Sequence, residues 1–383
     1  MRKRYLMTPG PTPVPSEVLL AQARPMIHHR TEEFSNILAQ AVEDLKYILQ
    51  TENDVVFFAS SGTGAMESAV SNLFSAGDKV IVTSNGKFGD RFTQLSVAYG
   101  LEVIKLDYEW DTVIDPKDVE EELAKDDEIK GVFVTQSETS TGVLNDVKTI
   151  GEIVRGSKAV LIVDSITGVG AVELKTDEWG LDVVMTGSQK GLMLPPGLAA
   201  VSISDKAWEA VSGSNLPKFY FSYKKAADSI KKAQPTTPFT PPVSLIIGLS
   251  EALKMMRDEG LENLIERHSM LAEATRRGLI AMGIKLFAPS EGRGSAVTPA
   301  WVPDGIDGKA LVKKMKEEQG ITIAGGQDRL AGKIFRIGHL GYFDRFDILT
   351  TLAGLEMTLV ELGYDFEPGS GVRAAEETFL NWK

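Results

Sequence analysis

Seven short apolar runs mark the first half of the chain: "VVFF" (55–58), "KVIVT" (79–83), "EVIKL" (102–106), "GVFVT" (131–135), "VLIVD" (160–164), "DVVMT" (182–186) and "LAAVSIS" (198–204). They lack polar alternation, as strands buried on both faces do. Stretches of helical period lie between many of them, such as "AMESAVSNLF" and "DRFTQLSVAYG". Strand–helix alternation predicts an α/β fold, a mainly parallel seven-stranded sheet covered by helices. One link breaks the rhythm. Residues 187–197 alone separate "DVVMT" from "LAAVSIS", and two prolines lie among them. A parallel crossover takes a dozen or more residues. The last strand is therefore expected to run antiparallel, with Lys190 in the loop at the sheet's rim.

From Val243 to about Gly283 the pattern turns helical, in "LIIGLSEALKMM" and "LENLIERHSMLAEATRRGLIAMG". Short strands and one helix are expected after it, in "IKLFAP", "SAVTPAWV", "DGKALVKKMKEE", "ITIAGG" and "KIFRIGHL". This reads as a second, smaller α+β unit. The length of 383 residues agrees with two or three domains.

Composition narrows the function classes. A net charge of −12 argues against a nucleic-acid or anionic-membrane surface, although it leaves room for a small anionic ligand. The absence of cysteine removes disulfides, thiolate metal sites and thiol nucleophiles, and fits a reducing compartment. The start, "MRKRYLMTPGPTP", is basic without the apolar centre of a signal peptide. No apolar run approaches the ~18 residues of a membrane helix. A soluble cytoplasmic protein is expected.

Four places could carry chemistry. In "VVFFASSGTGAMESAV" a strand enters a small-residue turn, Ser60 to Gly64, and a helix begins. A helix N-terminus offers free N–H groups to a phosphate; the same turn could equally be a capped strand–helix link. A dinucleotide fingerprint fits poorly, because its third glycine position is Glu67 and "KVIVTSNG" ends without an acid for a ribose. Asp164 ends a very apolar run, where strand ends line a ligand crevice, and it or Ser165 could instead cap a helix. Lys190 sits among Gly187, Ser188, Gly191, Leu192 and Met193, an odd place for a residue usually solvated. Arg336 lies among Ile334, Phe335 and Ile337, and needs an anion, either a ligand carboxylate or an internal salt bridge. The four histidines, His28, His29, His268 and His339, show no metal-ligand spacing, so no metal site is expected.

One chemistry uses all four places: pyridoxal 5′-phosphate (PLP), with a lysine on its aldehyde, an acid on its ring nitrogen, a helix N-terminus on its phosphate and an arginine on the substrate carboxylate. The ordered series "TPGPTPVP", "SSGTGAMESA", "NGKFGDRF", "SETSTGVLNDV", "LIVDSITGVG", "TGSQKGLMLPPGLAAVSIS" and "KIFRIGHLG" resembles class V aminotransferases of fold type I, in particular the alanine–glyoxylate and serine–pyruvate (serine–glyoxylate) group. The resemblance implies that Lys190 forms the Schiff base and Asp164 holds the ring nitrogen. It places Ser61, Gly62, Thr63 and Gln189 around the phosphate, Thr139 near the ring's phenolic oxygen and Arg336 on the substrate carboxylate. Phe88 stands where close relatives often have a stacking Trp. It further implies a homodimer in which "TTPFTPPV", through Thr240 and less directly Thr237, completes the partner's phosphate cup. The proline-rich start is expected beside the smaller unit, giving a large domain at 21–265 and a small one from 1–20 with 266–383.

The reaction so implied is ping-pong transamination from serine or alanine to glyoxylate or pyruvate. The alternative is aspartate or phosphoserine aminotransfer on the same fold. Cysteine desulfuration is excluded by the missing cysteine. No second arginine matches a distal acid as clearly as Arg336 matches the first, and Arg30, after His28 and His29, is the candidate that could reverse this.

Overall fold

The computed structural model describes residues 3–382. Met1, Arg2 and Lys383, the extreme ends of the expected small unit, lie outside the described residues. Seven strands form the central sheet: β1 (Asp54–Phe58), β2 (Lys79–Ser84), β3 (Glu102–Asp107), β4 (Ile129–Thr135), β5 (Val160–Asp164), β6 (Val183–Gly187) and β7 (Ala199–Ile203). Their order is β1-β7-β6-β5-β4-β2-β3. All are parallel except β7, which runs antiparallel to both β1 and β6. The link too short for a helical crossover does reverse the chain.

Both faces of the sheet are covered, which is why its strands are largely apolar, except for the edge strand β3, whose Glu102, Lys105 and Asp107 break the run and which has no buried residue. Successive side chains of a strand point to opposite faces. Val55 and Phe57 of β1 therefore join one core, with Ile81, Val132, Leu161 and Val184. Val56 and Phe58 join the other, with Val80, Phe133, Ile162 and Met185. Helix α1 (Glu32–Leu49) and helix α4 (Val243–Glu259) cover the first face through Leu38, Leu45, Ile246 and Leu253. Helices α2 (Gly62–Leu73) and α3 (Lys87–Ala98) cover the second through Met66, Val70 and Phe92. Each fully buried Val, Leu, Ile or Phe contributes about 1.5–3 kcal/mol.

A third core joins Met7 to residues from Leu271 to Ala375. It contains the end of α5 (Leu261–Ala281), helices α6 (Arg345–Glu361) and α7 (Ser370–Asn381), and a small antiparallel sheet of β8 (Val297–Trp301), β9 (Ala324–Gly325) and β10 (Ile334–Gly338). Strand β8 pairs only with β10, so Pro299 sits on an edge, where a missing N–H costs little. "IKLFAP" forms no strand. It makes one isolated bridge, Leu286 to Ala300, on the free edge of β8; Pro299 accepts from Phe287 N at 3.0 Å but has no N–H to donate back, so the ladder stops there. "ITIAGG" splits in two: Ile321–Thr322 pairs with Tyr5–Leu6, and Ala324–Gly325 with β10. The proline-rich start thus lies against the third core, with Gly338 N–H donating to Met7 O at 2.8 Å. Among the described residues no helix is long and apolar enough to cross a membrane.

Candidate active site

The carboxyl ends of the parallel strands open onto one edge of the sheet, where ligands of such folds bind. Register brings the ends together: Ala199 pairs with both Phe58 and Gly187, and Asp164 with both Met185 and Thr135. The turns leaving β1, β4, β5 and β6 therefore meet, and they carry Ser61 to Thr63, Thr139, Asp164, and Gln189 with Lys190.

Lys190 is buried and forms no ion pair within 4 Å among the described residues; its Nζ donates to Pro9 O at 2.5 Å. Burial, reinforced by the nearby Arg336 guanidinium, lowers its pKa to about 8, against the opposing pull of Asp164 and Glu138. The "TPGP" segment makes this fit possible. Gly10 has φ +131°, and a Cβ there would stand 2.6 Å from Lys190 Cδ and Cε. On the other side, Thr12 Oγ1 donates to Lys190 O at 3.0 Å.

Asp164 is buried at the end of β5 and accepts from Ile166 N at 2.9 Å. Burial pushes its carboxyl up to about 7. The Ile166 N–H opposes the shift, Glu138 adds to it, and Lys190 and Arg91 draw it back. A buried acid without an ion-pair partner among the described residues is either protonated or met by a cation that a ligand supplies.

The turn before α2 is open to an anion. Ser61, the N-cap, makes no side-chain capping bond, and the N–H groups of Gly62 and Thr63 have no acceptor among the described residues. Beside them Gln189 Oε1 is buried without a partner. Gly187 keeps the floor clear: a Cβ there would lie 3.3 Å from Gln189 Oε1 and 3.5 Å from Gly62 N. Thr63 Oγ1 accepts from Arg91 Nη1 at 2.9 Å, and the Arg91 guanidinium lies 4.6 Å from the Phe88 ring centre.

Arg336, on β10, is 6% exposed. No carboxylate lies within 4 Å, so the internal salt bridge allowed by the sequence does not form among the described residues. Instead Nε donates to Gly325 O at 3.0 Å and Nη1 to Thr139 O at 2.9 Å, with Gln327 Oε1 at 3.5 Å. Nη2 has no acceptor among the described residues. Burial lowers the pKa to about 10, which leaves the group a cation at neutral pH. Thr139 is buried, its hydroxyl 2.5 Å from that of Thr167.

Thr237 and Thr240 line a small cavity with Phe57, Phe58 and Ala59, at the end of β1 that leads into the Ser60–Gly64 turn. Thr237 donates its hydroxyl to Phe239 O at 2.7 Å, and Thr240 is exposed. Arg30 donates to Thr236 Oγ1 at 2.6 Å and to Thr237 O at 2.8 Å, so it is tied to that segment. Sequence reasoning missed Pro9 and Gly10 as neighbours of Lys190, Arg91 as the partner of Thr63, and Glu138. The last was visible as a lone acid in the otherwise uncharged run "VTQSETSTGVL".

A family model for aminotransferase class-V matches residues 4–338. The chain belongs to the class-V aminotransferase family. This aminotransferase is 48% identical, over 97% of either chain, to a protein of Synechococcus sp. (strain PCC 6716) named soluble hydrogenase, small subunit. It is 38% identical to a serine–glyoxylate aminotransferase of Methylorubrum extorquens, over 97% of this chain and 95% of that one. The crystal structure of a ureidoglycine–glyoxylate aminotransferase from Bacillus subtilis superposes with a TM-score of 0.95 at 31% identity, covering 100% of this chain and 99% of that one. The aminotransferase has the fold type I architecture of these neighbours.

Proposed function

We propose that the protein is a PLP-dependent transaminase that moves an amino group from a small amino acid, serine or alanine, to glyoxylate or pyruvate, and that it works as a cytoplasmic homodimer. The observation that carries this reading is a buried lysine amine without an ion-pair partner, flanked by a buried acid and a buried arginine that also lack one. The residues fit the cofactor. Gly62 and Thr63 N–H, with Ser61 and Gln189, would hold its phosphate; Asp164 would hold its ring nitrogen; Phe88 and Thr139 would flank its ring. When bound, PLP supplies a carbonyl carbon for amine attachment and a ring that accepts the electron pair released at the substrate α-carbon.

The side chains do the rest. At a pKa of about 8, roughly a tenth of Lys190 is the free amine at pH 7, against well under a thousandth for an ordinary lysine. With PLP bound, Lys190 Nζ would take the α-proton of the substrate as general base and then give it up at a different atom as general acid. Arg336 presents Nη2 to the substrate carboxylate and orients the α-carbon toward Nζ. Asp164 would hold the protonated ring nitrogen at its buried carboxylate. The keto acid leaves, and a second one takes the same contacts in reverse.

Glyoxylate is the acceptor named in both aminotransferase relatives, and their donors differ. Small donors are favoured here because Arg30, the arginine the sequence offers to a distal acid, is held by Thr236 and Thr237 of its own protomer. Thr240, exposed in the protomer, is assigned to the partner's phosphate. The hydrogenase name of the Synechococcus relative finds no support in this chain, which has no cysteine to ligate a metal cluster. The same reading divides the chain into 21–265 and 1–20 with 266–383: Leu264 packs in the first core and Leu271 in the third, although Val18 joins the first. Two measurements test it. The purified protein should show a near-visible cofactor band, and kcat/KM should be compared for alanine, serine, aspartate and phosphoserine with glyoxylate and pyruvate. Preference for an acidic donor would move the assignment to the alternative.

A further inference from the structure

Glu138 is the most enclosed ionisable side chain near the site, with no exposed surface. Among the described residues it makes no hydrogen bond or ion pair to the phosphate turn, to Lys190 or to Arg336, although both cations feel its charge. Four protein groups approach its carboxylate, and all four are donors. Oε2 accepts from Phe88 N at 2.9 Å and Gly89 N at 3.3 Å; Oε1 accepts from Ser140 N at 3.0 Å and Ser140 Oγ at 2.6 Å. Burial raises the pKa of this carboxyl, and the four donors pull it back toward the anion.

The bonds join two separate turns. One opens α3, whose own N-cap, Gly86, has no side chain to offer; Glu138 reaches across and supplies the missing acceptor. The other is the turn after β4. Ser140 Oγ, while donating to Glu138, accepts from Lys87 N at 3.0 Å and doubles the link. Gly86 is what lets the turns close: a Cβ there would overlap Glu138 Cγ and Cδ. One turn carries Phe88 and, a helical turn on, Arg91. The other carries Thr139, whose carbonyl anchors Arg336.

We propose that Glu138 is a positioning residue that locks the Phe88 turn to the Thr139 turn, and so sets together the aromatic wall, the hydroxyl and the substrate arginine. This rests on the cofactor reading above. Glu138 touches no reacting atom. It acts through Phe88 and Thr139, so its loss should disturb how the cofactor is held more than whether the chain folds.

The test is Glu138→Gln beside Ser140→Ala and the unaltered protein. In Glu138→Gln an amide NH2 replaces one acceptor and faces donors. Losing charge-assisted bonds of this kind should weaken PLP roughly tenfold and reduce the visible circular dichroism of the bound cofactor, which reports its asymmetric setting. Ser140→Ala keeps the carboxylate and its bonds to Phe88 and Gly89. It should weaken PLP about threefold with a partial loss of the same band, and it decides the matter if Glu138→Gln gives no soluble protein. A lower melting temperature of the apoprotein, with affinity and band unchanged in the variants, would reduce Glu138 to a structural residue and overturn the proposal. An unaltered protein that takes up no PLP defeats the cofactor reading itself.

Discussion

Replacing Arg336 by lysine keeps the positive charge and removes the fork. The guanidinium makes two firm bonds to carbonyls, Gly325 O and Thr139 O, and keeps Nη2 without a protein acceptor. A single ammonium cannot satisfy those carbonyls and also grip a carboxylate with two parallel donors. Losing one charge-assisted bond to the substrate costs about 1.5–3 kcal/mol, or roughly a ten- to hundredfold fall in kcat/KM at 1.4 kcal/mol per decade. The fall should appear for alanine and glyoxylate alike, since both present a carboxylate. Steady-state kinetics with alanine, run beside an amine of similar size lacking the carboxylate, isolates the effect. Removing the arginine and removing the carboxylate break the same contact, so the two losses should not add. The carboxylate-free amine should react with the variant within about threefold of its rate with the unaltered enzyme. Equal losses for both donors, with a normal cofactor spectrum, would refute the assignment of Arg336 to the substrate.

Three further outcomes follow from the same geometry. Asp164→Asn preserves the acceptor for Ile166 N but not the charge; turnover should fall at least ~10²-fold while PLP affinity changes far less, measured by kcat against cofactor titration. The lowered pKa of Lys190 makes attachment of PLP to the apoprotein speed up as pH rises through about 8 and level off above it, because the free amine is the reactive form; stopped-flow rates that keep climbing beyond pH 10 would indicate an ordinary lysine. Mixing inactive Lys190→Ala subunits with inactive Thr240→Ala,Thr237→Ala subunits should restore activity, since one hybrid site is then whole, and no recovery in demonstrated mixed dimers would argue that each subunit builds its site alone.

The sequence was informative wherever one residue faced a local contradiction. A lysine in an apolar turn, an acid closing the run "VLIVD" and an arginine in a strand each stood out, and the structure brings the three to one edge of the fold. The reversal of β7 was legible because chain length alone forbids the alternative. What escaped depends on tertiary contact. Pro9 and Gly10 reach Lys190 from far away in the chain, through a strand of two residues too short to show periodicity. The helices α6 and α7 were not anticipated, and "IKLFAP" carries a strand's composition but meets β8 at Pro299, which has no N–H to continue the ladder. Glu138 was read past because its neighbours look like an ordinary polar loop; only burial shows that every partner it has is a donor.

The central claim is that Lys190 is the lysine that takes up PLP covalently. Incubating the protein with PLP, reducing with borohydride and mapping the modified peptide by mass spectrometry tests it directly. The account predicts one pyridoxyl adduct, on the peptide containing Lys190, and none on that peptide in Lys190→Ala. A stoichiometric adduct on a different lysine, or a protein that yields none while retaining transaminase activity, would contradict it.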